Sequence, residues 1–427
     1  MYLSIYFFLF YGVQAFFLNI PSSLQKPKLY LHKKEIDGFY GMIGPNIERK
    51  NTKSLMDLFM GNGIIQGVFI KNGTLTFVKK EVETEKRIFE KKLHRKMFMP
   101  NMFGVANTAF LHHRNLTYAL FERDLPYIID IDFQKKRIET VGKYYIDDIA
   151  HFSAHSKVKD TDLYIETIDY DVLRKNVKFF QLDPYFRLLS SITVPVKYMP
   201  MVHDFISTKK NMIFLNSPLT TEFSLLKMRV KLDVTKSAIF YLVDREKNNQ
   251  IQRYYVNHGI YIFHYADVDD SEKEVEIYAP VHDSLDLSTL DIKGKYRKIV
   301  LDKQTKTVKI EKNPVLEDLN VEFPVSFQQD NKTKVLLRYV NNGKTGFVLC
   351  HKLEMEKCID LPGRCICGEA SIVFVDEIPH AIFFTIDVGE NGYFNILNLE
   401  TEENDEISMN AKMKIGFHSL FLQRKII

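Results

Sequence analysis

The chain has 427 residues, of which 45% are hydrophobic and 26% charged, and its net charge of +4 comes from well-mixed acidic and basic residues. This composition is typical of a globular protein with ample material for a core. It excludes the usual kind of nucleic-acid binder, which concentrates basic residues on one face. The length admits two or three domains, or one large closed β fold.

The first 25 residues, "MYLSIYFFLFYGVQAFFLNIPSSLQ", carry no charged side chain. An apolar run of this length is typical of a membrane anchor, a cleaved signal peptide or a buried strand, and the residues leave all three open. We therefore treat residues 1–25 as a separate N-terminal segment and residues 26–427 as one domain.

Beyond residue 26 the chain alternates short apolar runs with turns. The stretch "GVFIKNGTLTFVKKEVE" predicts a hairpin around Asn72-Gly73, because this dipeptide favours a two-residue hairpin turn. "NTAFLHHRNLTYALFE" repeats the pattern around "HHRN", whereas "LMDLFMG" and "YFRLLSSI" favour single helical turns. Many short, evenly spaced strands predict an all-β fold, either a β-propeller or a very large sandwich.

The four cysteines cluster in one part of the chain without the paired CxxC spacing of a zinc site. We expect plain thiols in strands rather than a metal site or disulfides. They are Cys350, Cys358, Cys365 and Cys367.

Four histidines share one sequence setting, at or near the end of an apolar or aromatic run that polar residues follow. Each alone is also typical of a core histidine, but strand ends line the axis of a propeller, where four such residues can converge. Four imidazoles make a neutral ligand set that suits Fe(II), Cu or Zn. The four are His155 in "IAHFSAHSKVKD", His203 in "KYMPMVHDFIST", His264 in "GIYIFHYADVDD" and His418 in "GFHSLFLQRKII".

A metal-binding histidine usually donates its second ring N–H to a carboxylate. The hypothesis therefore predicts buried glutamates without a Lys or Arg partner, although each candidate alone is also typical of a strand end. The candidates are Glu122 after "LTYALF", Glu322 in "NVEFPVSF" and Glu369 before "ASIVFV".

Taken in chain order, the segments that carry these histidines and glutamates resemble motifs of the carotenoid cleavage oxygenases. The resemblance extends from about residue 34 to about residue 421. "SAHSKVKD", "MVHDFIST", "IFHYADVDD" and "GFHSLF" are similar to the family's four histidine motifs. "NTAFLHHRNLTYALFE", "VEFP" and "CGEASIVFV" resemble its glutamate motifs, and "IDGFYGMIGPN" and "LFMGNGIIQGVF" its opening segments. Each motif is short, but the ordered set of seven is specific.

The resemblance implies a seven-bladed β-propeller with one axial non-haem Fe(II) per chain and O₂ as co-substrate. The iron would be held by His155, His203, His264 and His418, with three imidazoles oriented by Glu122, Glu322 and Glu369. It implies cleavage of a C=C double bond of a carotenoid or apocarotenoid, an apolar conjugated substrate, into two carbonyl products.

Departures from the family pattern leave the substrate open. "FMGNGI" replaces "FDGDGM", and Ser156, Asp267 and Ser419 stand where the family has Pro, Asn and Gly. The alternatives are cleavage of a stilbene-like phenolic and a propeller that binds an apolar ligand without catalysis. A retinoid isomerase is disfavoured, because its "PDPCK" segment does not occur.

A further segment, residues 91–104 ("KKLHRKMFMPNMFG"), has the composition of an interfacial membrane contact or of a surface loop with packed methionines. Its apolar residues are Met97, Phe98, Met99, Met102 and Phe103. With the resemblance, it predicts peripheral association with the cytoplasmic face of a membrane, while residues 1–25 leave a secretory route open.

Overall fold

Short strands with alternating burial pair in antiparallel order throughout the chain, because each has an apolar face to cover. In the computed structural model they form seven sheets of four or five strands, the blades of a β-propeller, so the predicted fold is confirmed. The structure describes residues 29–30, 36–94, 104–159, 163–224, 227–245, 247 and 249–424.

The strands follow one another in chain order, blade by blade. The first three blades contain β1 (Leu29–Tyr30), β2 (Gly38–Pro45), β3 (Gly63–Lys71) and β4 (Thr74–Glu81); β5 (Ala109–His113), β6 (Leu116–Leu120), β7 (Tyr127–Asp132) and β8 (Arg137–Lys143); and β9 (Lys157–Lys159), β10 (Tyr164–Asp171), β11 (Asn176–Leu182) and β12 (Leu188–Pro195). The fourth contains β13 (Ile206–Ser207) and β14 (Asn211–Asn216), then a separate hairpin of β15 (Leu219–Ser224) and β16 (Lys227–Leu232), then β17 (Ile239–Asp244) and β18 (Gln250–Tyr255).

The remaining blades are built in the same way. The fifth and sixth contain β19 (Asp267–Asp270), β20 (Glu274–His282), β21 (Gly294–Asp302) and β22 (Val308–Lys312); and β23 (Asn320–Gln329), β24 (Lys332–Asn341), β25 (Lys344–His351) and β26 (Glu354–Asp360). The seventh contains β27 (Cys365–Ile366), β28 (Ser371–Val375), β29 (Ile378–Ile386), β30 (Asn391–Asn398) and β31 (Asn404–Lys412), and β32 (Ser419–Gln423) joins the first blade. The helices are a 3₁₀ turn (Arg49–Asn51), α1 (Leu55–Phe59), α2 (Glu85–Leu93) and α3 (Pro314–Glu317).

Local sequence signals account for the hairpins better than for the helices. Asn72 and Gly73 join β3 to β4 with φ angles of 48° and 70°, as the hairpin prediction requires. "LMDLFMG" contains α1, as predicted. The helical turn predicted for "YFRLLSSI" is wrong, because Leu188–Pro195 pairs with β11 and strand pairing overrides the local preference.

The propeller closes by pairing the last described strand with the second. β32 lies antiparallel to β2, with Gly41 opposite Leu420 and Met42 opposite Ser419. It thereby becomes the axial strand of the first blade, in contact with β5 and β28 of its neighbours. The pairing covers the edge of β2 and places the first and last described strands in one blade.

The cysteines agree with the expectation of plain thiols, since all four are free and Cys350 and Cys367 are buried. None of the helices in the described ranges is long and apolar enough to cross a membrane. The division into residues 1–25 and 26–427 stays a prediction, because the N-terminal segment lies outside the described residues. Also outside them are Met97, Phe98, Met99, Met102 and Phe103.

The substitution Gly38→Val tests the closure. A Cβ atom at Gly38 lies 2.3 Å from the carbonyl oxygen of Leu422 and 2.7 Å from the ring of Phe421, so β32 must shift. We expect a loss of about 1–3 kcal/mol of stability, seen as a lower midpoint of thermal unfolding by circular dichroism. Thr193→Val, on the exposed outer strand β12, is the control and should leave the midpoint unchanged. Equal midpoints for the two variants would contradict closure through β32.

Candidate metal centre

Four histidines lie at one end of the propeller axis, each at the start of an axial strand. The strands β9, β13, β19 and β32 each begin within three residues after a histidine. Because the axial strands of successive blades run in the same direction, their first residues gather at the same end. The structure thus brings together His155, His203, His264 and His418.

These four residues, the four-histidine cluster, present their ring nitrogens to one another. One nitrogen of each ring lies within 4.8 Å of those of the other three. The Nε2 atoms of His155 and His203 are 3.0 Å apart. Ring centroids of His155 and His418 are 4.6 Å apart, and those of His264 and His418 are 4.8 Å apart. The rings meet edge to face, so their nitrogens surround a common point.

Three of the four imidazoles contact a glutamate through Nδ1, on the side away from the cluster. A carboxylate only accepts hydrogen bonds, so each Nδ1 carries the hydrogen and the Nε2 of the same ring keeps a lone pair. His155 has no such carboxylate among the described residues, and its backbone N–H donates to Ser153 Oγ at 3.0 Å. The pairs are His203 with Glu122, His264 with Glu322 at 2.7 Å and His418 with Glu369 at 3.2 Å.

The arrangement fits a metal ion. The Nε2 atom of His264 is buried and has no hydrogen-bond partner in the part of the chain that the structure describes. Lone pairs that face one another repel, and a cation at their common point removes the repulsion. Nitrogen donors without a thiolate suit Fe, Cu or Zn. The role of these seven residues as ligands and their supports stays a prediction.

Burial and the glutamates set the charge state of the imidazoles. Burial lowers the pKa of His155 well below its ordinary value, and the neighbouring imidazoles lower it further. Burial also lowers the pKa of His264, against the opposing effect of Glu322. Burial alone would lower the pKa of His203, but the Glu122 carboxylate outweighs it and raises the pKa. The neutral form of His155 and His264, which is the form that binds metals, is therefore favoured.

The second oxygen of each carboxylate is also held. Tyr170 donates its hydroxyl to Glu122 Oε2 at 3.1 Å, and the Ser419 N–H donates to Glu369 Oε2 at 3.1 Å. Glu322 is held by a further imidazole. Tyr170 escaped the sequence reasoning because it lies inside strand β10, where a tyrosine is an ordinary strand residue.

His282 is the functional candidate that sequence reasoning missed. Its Nε2 lies 2.9 Å from Glu322 Oε1, and its side chain is fully buried. Burial alone would raise the pKa of Glu322, but His264 and His282 outweigh it and hold this pKa well below its ordinary value. His282 ends the apolar run "IYAPVH" before polar residues, which is the same signal that marked the four-histidine cluster.

Aromatic rings cover the cluster. Phe323 lies 5.4 Å from the rings of both His264 and His418, measured between centroids. Phe263 lies 5.5 Å from His203, and Phe59 of α1 lies 6.4 Å from Phe263. On this side the cluster therefore has an apolar, aromatic cover.

An apolar dome continues this cover, formed by α1, the β15–β16 hairpin and the loops around residues 261 and 285. α1 is fixed to the last of these loops, because Leu55 N–H donates to the Thr289 carbonyl at 3.0 Å and Met56 N–H to that of Leu287 at 3.2 Å. The dome residues include Leu55, Leu219, Val230, Leu232, Tyr261, Phe263, Leu285 and Leu287. The dome thus continues the apolar surface that Phe263 presents to His203.

The Arg338 guanidinium lies in the same region as Glu322. The Arg338 guanidinium lies 4.6 Å from the centroid of the Phe323 ring. In the backbone register of strands β24 and β23, Arg338 lies opposite Glu322. Burial lowers the pKa of Arg338. Its positive charge partly balances the three carboxylates around the cluster.

Fold and site together define a β-propeller with an axial four-histidine centre that fits a metal ion. The family model described as retinal pigment epithelial membrane protein matches residues 34–423. The chain belongs to this family, that of the carotenoid cleavage oxygenases.

Relatives with assigned names support the same family. The carotenoid 9,10(9′,10′)-cleavage dioxygenase 1 of Arabidopsis thaliana is 25% identical over 275 residues, which are 56% of this chain and 51% of that protein. The carotenoid 9,10(9′,10′)-cleavage dioxygenase of Crocus sativus is 26% identical over 277 residues, 56% of this chain and 50% of that protein. The match thus spans about half the length of these relatives.

Solved structures share the fold. A variant of the Synechocystis apocarotenoid oxygenase has a TM-score of 0.76 at 17% identity, covering 94% of this chain and 97% of that one. The lignostilbene dioxygenase of Pseudomonas brassicacearum has a TM-score of 0.74 at 16% identity, covering 93% and 94%. At these identities the likeness shows the propeller alone.

The substitution Glu122→Gln tests the carboxylate support. The amide keeps the size of the side chain but removes the charge that favours the Nδ1–H form of His203. We expect the affinity for Co(II), titrated by visible absorption, to fall about 10-fold, as is usual for the outer partners of a ligand. Glu311→Gln, on the outer strand β22, is the control and should bind Co(II) as the wild type does. Unchanged affinity in Glu122→Gln would refute the support.

Proposed function

We propose that this protein is a non-haem Fe(II)-dependent dioxygenase that cleaves one C=C double bond of a carotenoid or apocarotenoid into two carbonyl products. The four-histidine cluster carries the proposal, because four neutral ligands leave positions for O₂ and substrate on an ion held there. The names of the relatives from Arabidopsis thaliana and Crocus sativus support the substrate class.

Ferrous iron held by the four histidines would supply the redox chemistry for the reaction of O₂ with the alkene. One C=C and one O=O bond are exchanged for two C=O bonds, so the reaction consumes no proton and no outside electron. The chain therefore needs no general base. Burial raises the pKa of Tyr170 and of Tyr261 well above the ordinary value. Both phenols stay protonated and serve as hydrogen-bond donors, to Glu122 and to the Met201 carbonyl.

The side chains around the cluster position the substrate and exclude water. The rings of Phe263 and Phe323 lie beside the imidazoles. The ring of Phe59, in the dome, lies 6.0 Å from that of Phe417, measured between centroids. A conjugated chain that packs along these rings places one double bond beside the four-histidine cluster. Positioning of this kind selects the bond that is cleaved.

Iron content is the first test, in protein purified without oxygen. We expect about one Fe per chain in the wild type and a large loss in His418→Ala, because three imidazoles remain. His113→Ala removes a buried histidine from the second blade and should keep its iron. A wild type without iron after incubation with Fe(II) would refute the oxygenase proposal.

A turnover assay with three candidate substrates tests the substrate class. The loaded wild type is offered a carotenoid, an apocarotenoid and a stilbene under ¹⁸O₂, and products are identified by chromatography and mass spectrometry. We expect two carbonyl products from a carotenoid or apocarotenoid, each with one ¹⁸O. Cleavage of the stilbene alone would assign the phenolic class instead. If the iron-loaded protein consumes none of the three compounds, the alternative of a propeller that binds without catalysis is favoured.

We also propose a peripheral membrane contact, supported by the apolar side chains that α2 exposes. Of its six charged residues this helix buries Lys86 and Glu90, which form an ion pair at 3.6 Å. It exposes Ile88, Phe89 and Leu93 to 42%, 42% and 43%. Lys91 and Lys92 follow in its last turn, and basic residues beside exposed apolar ones are typical of a membrane-surface helix.

The double variant Ile88→Glu with Leu93→Glu tests this contact. We expect its flotation with vesicles of phosphatidylcholine and phosphatidylserine to fall several-fold, because two charges replace the apolar surface. Leu116→Glu is the matched control, since Leu116 is 45% exposed at the β5–β6 turn, at the other end of the propeller. Equal flotation of the double variant and the wild type would rule out α2 as the contact.

A further inference from the structure

The carboxylate of Glu322 is shared by two imidazoles. Its Oε2 accepts from His264 Nδ1 at 2.7 Å and from the Phe323 backbone N–H at 2.8 Å. Its Oε1 lies 2.9 Å from His282 Nε2. Neither of the other two carboxylates has a second imidazole among its described contacts, since their outer oxygens are held by a hydroxyl and a backbone N–H.

The contact fixes the tautomer of His282. A carboxylate only accepts, so Nε2 carries the hydrogen and donates it. Nδ1 of the same ring is buried and has no partner within the described ranges. A buried polar atom without a partner costs about 1–3 kcal/mol, and an apolar side chain at this site would avoid that cost. Packing alone therefore does not account for an imidazole here.

Backbone pairing places His282 beside the segment that carries His264. His282 N–H donates to the Tyr261 carbonyl at 2.8 Å, and Tyr261 N–H donates to the His282 carbonyl at 2.9 Å. Tyr261 precedes His264 by three residues. The two backbone hydrogen bonds therefore hold the segment of His264 next to that of His282. The Phe263 ring packs edge-on against His282, with 5.2 Å between centroids.

Gly294 provides the space for the ring. It pairs with His282 across strands β20 and β21. A Cβ atom at Gly294 would lie 3.1 Å from His282 Cε1 and 2.2 Å from the Val321 carbonyl oxygen. The backbone of β21 thus comes close enough to the imidazole to hold its plane toward Glu322.

We propose that His282 is a positioning residue, which anchors the second oxygen of Glu322 so that the first directs His264 Nε2 into the four-histidine cluster. This inference rests on the proposed function only in that the cluster binds a metal ion. Without His282 the carboxylate is held through Oε2 alone, by His264 and the Phe323 N–H, and the orientation of the His264 ring is fixed less firmly. The loss should therefore appear as weaker metal binding and a changed ligand geometry.

Titration with Co(II) alone tests the role in His282→Leu, His282→Gln and the wild type. We expect the Kd for Co(II) to rise about 10-fold or more in His282→Leu and the visible bands of bound Co(II) to change, as for other outer partners of metal ligands. His282→Gln should restore most of the affinity, because its amide N–H takes the place of Nε2–H. A purely structural role would not distinguish Gln from Leu in this way.

His113→Leu is the matched control. His113 is 1% exposed in the second blade and contacts the Pro184 carbonyl at 2.9 Å, so its loss removes a buried imidazole away from Glu322. It should leave the Kd and the Co(II) spectrum unchanged, and thermal unfolding of every variant verifies that the propeller is folded. If His282→Leu does not fold, His282→Gln and His282→Phe carry the comparison, with Phe expected to bind weakly.

The outcomes separate this inference from the proposed function. Wild-type affinity and spectrum in a folded His282→Leu or His282→Phe variant would overturn the positioning role while the oxygenase proposal stands. Weakened binding in those variants, restored by Gln, would support it even if no carotenoid is cleaved. A wild type that takes up neither Co(II) nor Fe(II) would overturn both.

Discussion

Hydrogen bonds from imidazole to carboxylate are the interactions on which the rest of this centre depends. Each glutamate fixes the hydrogen on Nδ1 and thereby turns the lone pair of Nε2 toward the axis. Three carboxylates lie around the cluster, and the Arg338 guanidinium contacts the Phe323 ring beside it. The carboxylates bring negative charge close to the imidazoles, and this charge favours a cation among their lone pairs.

The propeller fold places the residues that form these hydrogen bonds close together. Its axial strands run in one direction and start at one end, so histidines that are far apart in the chain, each within three residues of the start of an axial strand, meet there. The three glutamates come from other blades, and each contacts one imidazole of the four-histidine cluster. Over this base the dome brings apolar surface from α1, which lies between β2 and β3 of the first blade, and from the β15–β16 hairpin, which is inserted in the fourth blade. The apolar cover is therefore built from insertions in blades that also carry His418 and His203.

The sequence predicted the hairpin turn from a local signal and, from an ordered set of motifs, selected residues that the structure brings together, whose roles stay predictions. The turn at Asn72-Gly73 depends on two residues, and the seven motifs identify the histidines and glutamates together. His282 was missed because its partner Glu322 lies 40 residues away and reaches it only through the packing of two blades. The segment from Leu188 to Pro195 was misassigned for the same reason, since its structure is decided by the strand beside it.

The pairing of β32 with β2 links the synthesis of this strand to the completion of the centre. A nascent chain that does not yet include His418 holds three of the four imidazoles and an open ring. Since an ion that needs all four binds only the closed form, it stabilises closure by mass action, about 4 kcal/mol when the free ion is about 1,000 times Kd. If the ion is iron, as we propose, its availability in the cell would govern how long the folded protein survives, besides governing its activity.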